Sequence, residues 1–193
     1  EVVNCQSCSG TDFTPIVSLG DIPSANVMTP DAPRYRANVV KCQTCTLVQL
    51  DTIVDPHLIF PPDYPYTSGT TASLRANFAQ LVQGANLVTG KYGKVLDIGS
   101  NDGTLLQAFY DKGWYPHGIE PTDQALKSRA RGIQTTNEFF TEEVAKGLGT
   151  FDVVTATNVF AHIADIHSAL WGVRHVLKED GVFITESTYW GDT

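Results

Sequence analysis

Residues 94–106, KVLDIGSNDGTLL, constrain this chain more than any other stretch. Lys94–Ile98 reads as a buried strand, Gly99 as a bend and the residues after Gly103 as the start of a helix, a connection that brings backbone close to a ligand. The identity of that ligand is narrowed by what is missing. A dinucleotide fingerprint needs G-x-G-x-x-G, but counted from Gly99 the second glycine is Asn101 and the third is Thr104. No GK[ST] follows, which excludes a Walker loop. Asp97, at the end of the strand, repels phosphate and attracts a cation.

Around this stretch, strands alternate with helices. Strands are predicted at Lys94–Ile98, Tyr115–Ile119, Ile133–Thr136, Phe151–Thr157 and Gly181–Glu186. Helices are predicted near Gly103–Lys112, Asp123–Ala130, Glu138–Lys146 and Ala164–Leu177. Before them, Leu74, Phe78, Leu81, Val82 and Ala85 recur at helical spacing, giving an amphipathic helix over Thr71–Val88. Uniformly apolar strands such as Val95-Leu96 and Val153-Val154 suit a parallel sheet covered on both faces. The fold class is α/β, a doubly wound, Rossmann-like domain.

Glu120 ends the second strand, 21 residues after Gly99, where a carboxylate accepts hydrogen bonds from ribose hydroxyls. A ligand with a ribose, no phosphate and a positive centre is S-adenosylmethionine. Its sulfonium and ammonium suit Asp97 and the carbonyls around Gly99, and Phe139 and Phe140 are placed to flank the adenine. A doubly wound domain that binds another nucleoside is the alternative, because fold alone does not fix function.

Residues 1–66 have a different pattern. They hold all four cysteines and most of the ten prolines, with strand-like runs at Val39-Val40 and 47–50 and no helical periodicity. So little apolar surface needs a staple. The cysteines form two CxxC pairs, Cys5/Cys8 and Cys42/Cys45, with 33 residues between them. Four thiolates in a tetrahedron make a closed structural zinc site with no open position for catalysis. Two disulfides would call for a secreted chain, and the N-terminus shows no signal peptide. A redox CxxC would open a helix after a strand, and neither pair does. Residues 56–68, PHLIFPPDYPYTS, read as a linker, so the expected domains are 1–66 (zinc-binding, with linker) and 67–193 (cofactor-binding). With 13 basic against 21 acidic residues, the net charge is −8, without the basic footprint of a nucleic-acid binder. No run reaches the length of a membrane span, and a cytoplasmic location is expected. The chain begins without Met, which reads as a processed or partial chain.

These motifs together resemble the zinc-containing, S-adenosylmethionine-dependent C-methyltransferases that act on nucleotide-linked deoxysugars in antibiotic pathways. The resemblance rests on CxxC…CxxC, TLVQL after Cys45, YPYTS at 64–68, GSNDGTLL at 99–106, GIEP at 118–121 and NVFAH at 158–162. It implies methylation of a carbon beside a ketone through an enolate, on a small nucleotide-sugar acceptor. Tyr64, Tyr66 and His162 are the implied acceptor-side residues. Ser100, Asn101, Gly103, Pro121 and Asn158 join Asp97, Gly99 and Glu120 around the cofactor. The family's main base lies in a Tyr-His-Glu-His motif beyond the strand ending at Glu186, and Thr193 closes this sequence before any such motif. Two expectations result: a fragment lacking C-terminal strands, or a short form whose bare sheet edge is covered by a partner or a second copy. A catalytically incomplete module that binds zinc and S-adenosylmethionine is the alternative function.

Overall fold

A computed structural model describes residues 4–24 and 29–188. The chain divides into two units, one of residues 1–61 with Ala164–His167, the other of residues 62–163 with 168–193.

The first unit is a three-stranded antiparallel sheet, β1 (Phe13–Pro23), β2 (Arg34–Cys42) and β3 (Val48–Leu50), in the order β1-β2-β3. Sequence patterning catches β2 and β3 but not β1, because Pro15, Gly20 and Pro23 interrupt it. Two register irregularities, between Pro15 and Val17 and between Ser18 and Asp21, absorb them. Proline is tolerated here because β1 is an edge strand, with one side that needs no ladder N–H. Ala37, Val40, Cys5 and Cys42 are buried, whereas Ile16, Val17 and Leu19 remain exposed. A core this small does not hold the sheet by itself. The supposed linker contains one short helix, α1 (Pro56–Ile59), started by the Asp55 side chain accepting from His57 N.

The second unit opens with α2 (Ala72–Thr89), whose Thr71 cap accepts from Leu74 N and which Gly90 ends in a left-handed conformation. A five-stranded, all-parallel sheet comes next: β4 (Lys94–Ile98), β5 (Tyr115–Ile119), β6 (Gln134–Thr136), β7 (Phe151–Thr157) and β8 (Leu177–Glu186), in the order β6-β5-β4-β7-β8. The crossovers carry α3 (Thr104–Tyr110), α4 (Gln124–Ala130), α5 (Glu142–Ala145) and α6 (Ile166–Val176). The expected α5 shrinks to four residues, capped by Thr141 accepting from Val144 N, with 137–141 outside the helix. The β8 strand begins earlier than expected and takes in Leu177–Asp180, and it stands at the sheet edge.

Each face of the sheet carries its own core. On one side Val95 and Val153 pack with Phe78, Val82 and Ala85 of α2, Leu105, Leu106 and Phe109 of α3, and Trp114. On the other, Leu96, Ile98, Ile119 and Val154 meet Phe140, Ala169, Val173 and Val176. Each large side chain so buried contributes about 1.5–3 kcal/mol. The chain builds outward from β4 through β5 to β6, then returns to lay β7 against the other side of β4. By the general rule for such sheets, the ligand crevice lies outside the carboxyl ends of the strands at that reversal, here β4 and β7. No helix among the described residues is long and apolar enough to cross a membrane.

Candidate functional site

The crevice is built from the tips of β4, β5 and β7. Asp97, one residue from the end of β4, is 2% exposed. Its register partner on β7 is Thr155, whose hydroxyl donates to Asp97 Oδ1 at 2.7 Å. Burial drives the Asp97 carboxyl up to about 7; the Thr155 hydrogen bond opposes that rise and the charge of Glu120 adds to it. A buried acid with one hydroxyl partner is an electrostatic deficit that a cation would offset. Periodicity places Asp97 but carries no signal for Thr155, because only the strand register brings the two together.

After Asp97 the backbone turns sharply. Gly99 has φ +69, and both Gly99 N and Ser100 N donate to Ile119 O, at 2.8 and 3.1 Å. A Cβ on Gly99 would stand 2.6 Å from Val159 Cγ2, so the bend admits only glycine. Asn101 is also left-handed, at φ +49, and its N–H donates to Glu120 Oε2 at 2.9 Å. Gly103, at φ +76, presses against Ser128 and starts α3. Ser100 is buried, and its hydroxyl has no hydrogen-bond partner among the described residues.

Glu120 is 5% exposed at the tip of β5. Its Oε1 accepts from Thr122 N at 3.0 Å and from Thr122 Oγ1 at 2.6 Å, while among the described residues Oε2 accepts from the Asn101 N–H alone. A carboxylate offers about four acceptor positions, so Oε2 keeps one for a hydroxyl. The pair of ribose hydroxyls expected from the sequence would require Thr122 to release Oε1. Asn137 Nδ2 donates to the carbonyls of Glu120 and Thr122 and fixes the backbone around Pro121.

A strap of residues 62–70 runs over these tips. Pro62 O accepts from Asp123 N, Tyr64 O from Gln124 Nε2 and Tyr66 O from Asn101 Nδ2, while Ser68 N donates to Asn101 Oδ1. The rings of Tyr64 and Tyr66 meet edge-on at 6.5 Å. Tyr64 is half-buried; burial raises its hydroxyl pKa, with further contributions from Tyr66 and Glu120. Tyr66 is half exposed. Spacing alone marks this segment as a loop and does not predict that its carbonyls dock on Asn101 and Gln124.

The structure divides the other expected residues. Phe140 is a core residue whose ring lies against Gly172, and Phe139 is half-buried. Asn158 is exposed and left-handed, at φ +56, and donates through its N–H to Glu186 O at 2.7 Å. His162 is exposed at the end of a short 3-10 turn, Phe160–His162.

In the first unit the four cysteines converge. Their sulfurs all lie within 4.8 Å of one another, with Cys5 to Cys45 at 3.5 Å and Cys8 to Cys42 at 3.6 Å. A tetrahedron of Zn–S bonds of about 2.3 Å has edges of about 3.8 Å, so the sulfurs fit zinc. The two CxxC turns repeat each other: Ser9 N donates to Cys5 O and Thr46 N to Cys42 O, and both Ser9 and Thr46 are left-handed. The N–H groups of Cys45 and Thr44, against burial, bring the Cys42 thiol down to about 6. Burial pushes Cys5 up, but the N–H groups of Cys8 and Ser7 more than offset it. At Cys8 the Gly10 N–H lowers the pKa, yet the neighbouring sulfurs and burial drive it up to about 12. Four crowded thiols do not ionise together without a cation among them.

A parallel sheet in this order, with a glycine bend and carboxylates at neighbouring strand tips, defines a class I S-adenosylmethionine-dependent methyltransferase fold, here with a small zinc-binding domain. Comparison with known proteins agrees. Residues 96–183 match the family model described as "Methyltransferase domain" and residues 5–60 the one described as "Putative zinc binding domain". The two models thus follow one another along the chain, a zinc-binding domain before a methyltransferase domain. It is 30% identical over 200 residues to "C-methyltransferase NovU" of Streptomyces niveus, a match covering 96% of this chain and 47% of that protein. A "Ubiquinone biosynthesis O-methyltransferase" of Actinobacillus pleuropneumoniae is 36% identical over 120 residues, covering 56% of this chain and 50% of its own. The chain thus spans about half the length of these relatives. Among solved structures, the PH0226 protein of Pyrococcus horikoshii superposes with a TM-score of 0.54 at 22% identity, over 73% of this chain and 65% of that one.

Proposed function

We propose that this chain serves S-adenosylmethionine-dependent C-methylation of a nucleotide-linked keto-deoxysugar, at the carbon beside the ketone. One observation carries the reading. The similarity to a C-methyltransferase runs through both units, over 96% of the chain, whereas that to the O-methyltransferase covers 56%. The family resemblance in YPYTS and NVFAH supports a sugar acceptor.

Bound S-adenosylmethionine supplies an electrophilic methyl group. Asp97 provides the negative charge that holds its cationic end, Glu120 Oε2 takes a ribose hydroxyl, and the Gly99 bend lets the nucleoside approach the backbone. Tyr64, on the strap beside Glu120, is the acceptor-side hydroxyl; burial keeps its proton on, so it donates to the oxygen that gains charge as the enolate forms. Tyr66 packs against it and orients the ring. His162, on the turn that follows β7, assists transfer of the proton taken from the carbon beside the ketone. Zinc held by Cys5, Cys8, Cys42 and Cys45 orders the first unit and takes no part in the chemistry. Cysteines gathered as a thiolate set fit a reducing, cytoplasmic setting.

The test is incubation with S-adenosylmethionine and a 4-keto-deoxysugar nucleotide, following both methyl transfer and exchange of the proton beside the ketone into D2O. Methylation at carbon supports the proposal. Tight cofactor binding with neither exchange nor transfer overturns it in favour of a binding module.

A further inference from the structure

We propose that Glu186 is a positioning residue that brackets the loop between β7 and α6 over the Gly99 bend. It ends β8, opposite Thr157 in register, and is a third carboxylate at a strand tip after Asp97 and Glu120. Its main-chain oxygen accepts from Asn158 N at 2.7 Å. Its side chain accepts twice more, Oε2 from Asn77 Nδ2 of α2 at 2.7 Å and Oε1 from Asn158 Nδ2 at 3.5 Å. One residue therefore grips Asn158 by backbone and by side chain, and is itself anchored to a helix.

The grip falls on a left-handed residue. Asn158 has φ +56, a conformation that asparagine tolerates better than other non-glycine side chains and that the contacts from Glu186 help to hold. The course of the loop beyond Asn158 depends on that conformation. Val159, the next residue, is the side chain that closes on Gly99, with Cγ2 2.6 Å from where a Cβ would be. His162 N then donates to Val159 O at 2.9 Å, so the turn bearing His162 is hung from the same point. Glu186 acts through Asn158 on Val159, which packs against the Gly99 bend, and on the turn that bears His162. The catalytic consequence rests on the proposed methyl transfer; the bracket itself does not.

The two are separable by experiment. Hydrogen exchange of the ligand-free full chain, read on peptides covering 157–163, is compared for the wild type, Glu186→Ala, Glu186→Gln and Asn77→Ala. Exchange in Glu186→Ala is expected to rise at least tenfold in this loop and to stay unchanged in β4. Glu186→Gln is expected within threefold of the wild type, because its amide oxygen still accepts from Asn77 and its NH2 donates to a flipped Asn158. Should Glu186→Ala not fold, Asn77→Ala removes the helix anchor and is expected to raise loop exchange at least threefold. In turnover, Glu186→Ala is expected to lower kcat tenfold or more with the KM for S-adenosylmethionine within threefold, and Glu186→Gln to restore it. Equal loop exchange in Glu186→Ala and the wild type, or a glutamine variant as loose as the alanine one, overturns the bracket. A wild type that does not turn over sinks the functional reading, and loop exchange alone then decides this proposal.

Discussion

Replacing Asp97 with asparagine should stabilise the ligand-free protein while weakening its hold on S-adenosylmethionine. The amide keeps an oxygen for the Thr155 hydroxyl, now 2.7 Å from Asp97 Oδ1, and removes the buried charge. The magnitude comes from the titration. Raising a carboxyl from 3.8 to about 7, at about 1.36 kcal/mol per pH unit, costs the ionised folded state about 4 kcal/mol. The sign is that of an acid with a raised folded pKa. Between about pH 4 and 7 the folded state holds a proton that the unfolded chain has lost, so stability falls as pH rises through this window. Below about pH 4 both states are protonated and the cost vanishes. Urea unfolding of the ligand-free, zinc-loaded protein from about pH 4 to 8 should show Asp97→Asn gaining on the wild type with pH, by about 2–4 kcal/mol at the upper end. Calorimetry at about pH 8 should show cofactor affinity reduced by about 1–3 kcal/mol, as for a lost charged hydrogen bond. A stability difference flat with pH would refute the reasoning, as would unchanged cofactor affinity.

Further outcomes can be measured directly. Cys42→Ser should lower bound zinc well below one per chain by atomic absorption and loosen the first unit, with the α/β circular dichroism signal retained. Gly99→Ala, forced into φ +69 and against Val159, should cost about 1–3 kcal/mol in thermal unfolding and abolish detectable cofactor binding. Asp152 is buried and accepts from Lys178 Nζ at 2.8 Å and Lys94 N at 2.9 Å, which, against burial, hold its carboxyl below the usual range. Asp152→Ala should therefore destabilise by about 1–3 kcal/mol at neutral pH, and less as pH falls below about 4, where the wild type loses the same contribution.

Local pattern and chemistry determine much of this protein. Apolar runs of strand length alternating with helical periodicity specify the doubly wound unit, because each element's period states which faces are covered. The GSNDG bend, Asp97 and Glu120 are legible because carboxylates and glycines at strand ends have few other uses, and two CxxC pairs spell a thiolate set by count and spacing. Tertiary structure decided the rest. The β1 strand stayed hidden because its prolines and Gly20 break the period, and only pairing with β2 through two irregularities makes it a strand. That the Phe140 ring packs in the core, in the space left by Gly172, is likewise a matter of packing. Thr155 under Asp97, the strap carbonyls on Asn101 and Gln124, and Asn77 reaching Glu186 from 109 residues away are matters of register and packing. Such contacts join positions far apart in the chain, and no periodicity along it encodes them.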